Sequence, residues 1–201
     1  MLGIYTARLP AASGGIWDRV EALQRFDTAL NSKSPTAVAK TLPPAWQAMQ
    51  SAGLDVSFAQ LFATDLAEIP LTGQARELAY EIALLSPDYE RAAQLYSPRS
   101  DRMSFLTGLA KGDLTGFRPP NPTAAAIADA FGPDPAPQNL VDLAAAGQLG
   151  EAILRAMRLF DDGSRGDLNS LTQSLAALRA FGLEDAARRA SLQLLLRSPE
   201  A

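Results

Sequence analysis

Neither cysteine nor histidine occurs anywhere in the chain. That pair of absences removes disulfides, thiol nucleophiles, zinc sites of the usual kind and Ser-His-Asp chemistry together. Lysine is scarce as well, at three residues against fifteen arginines, and net charge is only −4. Residues 151–201 carry seven Arg against seven Asp and Glu, so even the Arg-rich end is neutral. No basic tract is present to track a phosphate backbone, and no nucleic-acid partner is expected. No apolar run approaches the roughly 20 residues that span a bilayer, so direct membrane insertion is not expected. The first ten residues have no charged region followed by an apolar stretch, which argues against a signal peptide there. The chain reads as the C-terminal region of a longer protein with Met1 added, any targeting signal lying outside it. A cysteine-free chain suits cytoplasm and periplasm equally.

What is abundant is Ala and Leu, while β-branched residues are few, a balance that favours helix over strand. Three glycines stand 35 residues apart, Gly112, Gly147 and Gly182. Phe105, Leu140 and Leu175 keep the same phase, as do Ala110, Ala145 and Ala180. The last two copies also share Leu143 with Leu178, Ala152 with Ala187, and Leu159 with Leu194. Such a period with a helix-turn-helix pattern marks a stacked helical-hairpin array.

Along the chain, residues 1–14 read as irregular and a first helix as Gly15 to Asn31, with Ile16, Val20, Leu23 and Leu30 on its apolar face. Ser34-Pro35 opens a short helix to about Thr41, which Leu42-Pro43-Pro44 breaks. The next helix carries Trp46 and Met49 to Gly53 and pairs with Val56–Thr64. Helices follow over Gln74–Leu85, Tyr89–Tyr96 and Asp101–Lys111. A weak helix after Gly112 ends at Pro119-Pro120, and Thr123–Phe131 comes after an Asn-Pro cap. Residues 132–137 make a rigid turn. Asn139–Ala146 pairs with Leu149–Phe160, and Asp167–Phe181 with Leu183–Arg197, across a loop at residues 161–166. The expectation is all-α, with twelve or thirteen helices in stacked antiparallel hairpins and no β-sheet. Irregular hairpins fill 1–98 and clearer repeats 99–201, packed as one continuous domain.

Residues 139–197 resemble tetratricopeptide repeats. Gly147 and Gly182 match the inter-helix glycine, and Ala152 and Ala187 match the small residue of the second helix. Leu140 and Leu175 depart from the family, which has a small residue there, and the closing proline is missing. The resemblance implies a curved superhelix whose first helices line a concave groove. Carried over by the glycine register, it puts Arg99, Arg102, Asn169, Thr172 and Arg179 on that groove, where Arg could clamp a carboxylate or acidic peptide.

Other candidates read as structural. Asp161, Asp162, Ser164 and Asp167 hint at calcium, but the twelfth position of an EF-hand loop would be Gln173, so Asp167 is read as a helix N-cap and no metal is assigned. Trp17, Trp46, Phe58, Phe62 and Phe105 have core spacing. Glu77 and Glu81 lie one turn apart, which is equally the placement of an exposed helix face. No nucleophile has a base beside it, and no cofactor motif is found. The expected function is therefore a non-enzymatic interaction or scaffold module of a larger bacterial protein, binding a peptide or partner helix. The alternatives are a structural superhelix accompanying a cell-wall-acting or other enzyme, and an α-helical enzyme using carboxylates alone. Leu192, Leu194, Leu195 and Leu196 surround the last helix and need a cover from this chain, a second copy or a missing region.

Overall fold

The computed structural model describes residues 15–133 and 136–197. The irregular segment expected over 1–14 falls outside them, as does part of the turn at 132–137. Among the described residues there are eleven α-helices and no strand: α1 Ile16–Asn31, α2 Pro35–Ser51, α3 Asp55–Ala67, α4 Gly73–Leu84, α5 Tyr89–Leu95, α6 Asp101–Lys111, α7 Pro122–Ala130, α8 Gln138–Ala145, α9 Leu149–Ser164, α10 Leu168–Ala180 and α11 Glu184–Arg197. The protein is all-α, and within each unit neighbouring helices such as α1–α2, α3–α4, α8–α9, α9–α10 and α10–α11 pack as hairpins. Backbone contacts divide it into two compact units, Met1–Ala92 and Ala93–Ala201.

Helix starts follow the cap chemistry. Ser34 accepts from the Ala37 N–H, Ser100 from Met103, Asn121 from Ala124 at 2.7 Å and Asp167 from Ser170 at 3.1 Å. Each satisfies a backbone donor that the first turn leaves without a partner. The periodic glycines are helix stops. Gly112, Gly147 and Gly182 all adopt left-handed backbone, at φ 76°, 79° and 78°. The N–H after each returns to the carbonyl five residues earlier: Asp113 to Gly108, Gln148 to Leu143 and Leu183 to Leu178. Gly53 (φ 69°), followed by a bond from Leu54 to Met49, is a fourth copy of this Schellman stop. The 35-residue repeat is thus a repeat of one turn geometry.

Unit Met1–Ala92 packs α1 on α2, α2 on α3 and α4, and α3 on α4. Its centre is an aromatic cluster. Phe26 meets Phe58 and Phe62 at 5.2 and 5.3 Å, Phe58 meets Phe62 at 4.9 Å, and Trp46 meets Phe58 at 5.6 Å. Phe26 in that cluster sets the face of α1, burying Ala29 and Leu30 beside it. The face expected from Ile16 and Val20 is therefore rotated outward, and Trp17 is half exposed rather than core. The break expected at Pro43-Pro44 does not occur either. α2 runs through both prolines. Their neighbours Leu42 and Ala45 are fully buried and Trp46 nearly so, and only an unbroken helix keeps these on one face. That burial offsets the helical hydrogen bonds that two proline nitrogens cannot make.

In the unit Ala93–Ala201, α10 is central. It packs most extensively on α9, then on α7, and also on α11 and α8, while α11 packs on α6 and α7. Leu171, Ser174, Leu175 and Ala177 of α10 are completely or almost completely buried. Ala152 and Ala156 of α9 are fully buried, and Ser174 Oγ donates to the Ala156 carbonyl at 2.7 Å. Small side chains on one helix let the other approach closely. The loop expected at 161–166 is largely helix, because α9 continues to Ser164 with Gly163 buried against Leu171. The weak helix expected after Gly112 is absent; that segment turns back and places the Phe117 ring over Gly108. The cover for the last helix is the chain itself, with Leu192, Leu195 and Leu196 buried.

Candidate functional site

The five residues assigned to a groove by the repeat register divide into two sets. Thr172 and Arg179 are spent within their own unit. Thr172 Oγ donates to the Ala126 carbonyl of α7 at 2.9 Å. Arg179 donates to the Ala130 carbonyl at 2.7 Å, reaches Gly132 at 3.5 Å and lies 4.9 Å over the Phe131 ring. A cation placed on the last carbonyls of a helix compensates its dipole and its unmet acceptors. Arg188 repeats the device, donating from α11 to the Ala110 carbonyl of α6 at 2.9 Å. Arg99, Arg102 and Asn169 are exposed. Arg99 precedes the Ser100 cap of α6 and Arg102 lies in its first turn, whereas Asn169 is on α10, a helix whose main neighbours are α9 and α7.

The carboxylates first considered for calcium are engaged locally. Arg165 pairs with Asp161 at 2.6 Å and approaches Asp162 at 3.5 Å. Asp167 accepts from the Ser170 hydroxyl at 2.7 Å and from its backbone N–H; those two bonds hold its pKa below the usual carboxylate value. Asp113 is lowered in the same sense by bonds from Thr115.

A concavity of about 820 Å³ lies elsewhere, between α1 and α2. One stripe of α1 and its C-cap supplies the rim, Asp18, Glu21, Arg25, Thr28 and the cap Ser32, at spacings that share a helix face. Ala22 and Ala29, one heptad apart, form its floor from the same helix, and α2 adds Ala37, Lys40, Thr41 and Pro44. Alanines at these floor positions leave the space between the helices unfilled. Its hydroxyls are turned back on the backbone: Thr28 donates to Gln24, Ser32 to Ala29 and Thr41 to Ala37, at 2.7–2.9 Å. They therefore offer lone pairs and methyl surface rather than donors. Charge changes sign along the groove, from Asp18 to the Glu21–Arg25 pair at 2.6 Å and then Lys40. Pro44 has no N–H to give to the Lys40 carbonyl, and both residues line the groove.

The sequence contained one signal for this site that the glycine register passed over. Asp18, Glu21 and Arg25 fall on one face of α1, with the alanines beside them. No protein-family model matches the chain, and no curated protein or solved structure is significantly similar to it. Among the described residues, no helix is long and apolar enough to cross a membrane, and no group of three acidic side chains gathers as a metal site would require.

Proposed function

We propose that this chain is a non-catalytic, tetratricopeptide-like recognition module that takes an amphipathic helix of a partner protein into the α1–α2 groove. The observation that carries the reading is the alanine floor between two helices, edged by charges of both signs. Helix-in-groove recognition lays an apolar ridge into such a gutter and uses rim charges to set direction. The fitting helix carries a base opposite Asp18 and Glu21 and an acid opposite Arg25 and Lys40. No aromatic side chain appears among the lining residues, which favours a protein ligand over the saccharide stacking that a wall-associated module would use. The arginines tied to helix ends supply rigidity to the other unit, not ligand contacts.

The test is a displayed library of helical peptides panned against the native chain, with Thr28→Trp as counter-selection. Thr28 is exposed on the rim, so the indole fills the groove without entering the core. The expected result is a family of amphipathic helices that bind the native chain and lose binding to Thr28→Trp. Ligands insensitive to that change, or no enrichment, would refute the groove as the site.

A further inference from the structure

We propose that the outer face of α9 is a self-association surface, pairing antiparallel with α9 of a second copy. The face that α9 turns to α10 is marked by the buried Ala152, Ala156 and Gly163. On the helical wheel Leu154 stands opposite that face, and it is 67% exposed. Met157, one turn on, is 57% exposed. Gly150, Leu154, Met157 and Asp161 are all exposed and follow the alternating four- and three-residue spacing of a coiled-coil seam. Gly150 is helical, and a Cβ there would meet nothing within 4 Å, so no contact inside the chain explains its glycine. A backbone lacking Cβ at that seam position leaves room for the Asp161 side chain of a second copy.

The charges identify the occupant. Taking Leu154 and Met157 as the a and d positions, Glu151 and Arg158 both fall at e. In an antiparallel pair e faces e, so Glu151 of each copy meets Arg158 of the other and two ion pairs close the seam. A parallel pair would set these charges against Ile153 and Phe160 at g, with nothing to compensate them. Within one copy Glu151 is bound by Arg155 at 2.5 Å, and Asp161 and Asp162 by Arg165. Arg158 makes no such pair among the described residues. The face is therefore self-complementary under a two-fold axis, which is the condition for an isologous dimer.

Sedimentation equilibrium over a wide concentration range tests this with four samples. The native chain is expected to form a dimer. Glu151→Arg alone and Arg158→Glu alone each place like charges opposite one another twice, and each should raise Kd at least about tenfold. Mixing the two single variants should restore the dimer as a heterodimer, because every e position then faces its opposite. All substitutions are at exposed helix positions, and circular dichroism checks that the fold is retained. A native chain that stays monomeric throughout would overturn the proposal. So would a dimer unaffected by both reversals, or single variants that fail to recover on mixing.

Discussion

Two glycines in α9 should respond to the same substitution with opposite sign. A methyl at Gly163 would lie 2.7 Å from both Cα and Cβ of Leu171 and 2.8 Å from its nitrogen. Carbon pairs sit at about 3.5–4.0 Å, so α9 and α10 would have to separate by roughly 1 Å. Most of the clash is with backbone, which no rotamer change relieves. The separation would loosen the contacts of Ala152 and Ala156 and stretch the Ser174–Ala156 bond. Overpacking of this kind costs about 1–3 kcal/mol, and the better helix propensity of Ala returns less than about 1, leaving Gly163→Ala destabilised by roughly 1–2 kcal/mol. At Gly150 the added Cβ meets open space, so Gly150→Ala should gain up to about 1 kcal/mol. Urea unfolding followed by circular dichroism in dilute solution measures both. A Gly163→Ala protein as stable as the native chain would refute the close-crossing account of α9 and α10.

Three further expectations come from single side chains. Lys33 is the one described non-glycine residue with positive φ, 51°, at the end of α1, so Lys33→Gly should stabilise by about 0.5–1 kcal/mol in thermal unfolding. Its ion pair with Glu68 is solvent-exposed and subtracts little. Arg179→Met removes the cation from the end of α7 and should cost about 1.5–3 kcal/mol in urea, whereas Arg102→Met, on the exposed start of α6, should cost far less. Asp167 is held below its ordinary pKa in the folded state, so its capping contribution is complete above the unfolded value near 3.9 and fades as pH falls through the lowered folded value. Comparing native and Asp167→Asn stability between pH 7 and acid should show a difference that narrows at the acidic end.

Local chemistry was legible in the sequence, and long-range packing was not. Ser34, Ser100, Asn121 and Asp167 cap helices as their side chains require, and the glycine period is a period of left-handed stops. Pro43-Pro44 and the 161–166 segment misled because tertiary burial overrode strong local punctuation. Leu42, Ala45 and Trp46 hold α2 together through two prolines, and contact with Leu171 makes Gly163 a packing residue rather than a loop residue. The groove assignment of Thr172 and Arg179 presumed that α10 had a free side. Nothing in the sequence pattern signals that α7, more than 40 residues earlier, occupies it. The α1–α2 groove needed the pairing of two helices whose facing residues are small, which periodicity alone does not rank.

The most direct test of the recognition account is amide chemical-shift mapping of the tightest library-selected helical peptide on the labelled native chain. The largest shifts are expected over residues 18–32, along α1 and its cap, and over 37–44 of α2, with Arg25→Glu/Lys40→Glu abolishing binding of a peptide that is acidic at that point. Shifts centred on α6, α9 or α10, or binding indifferent to both charge reversals, would contradict it.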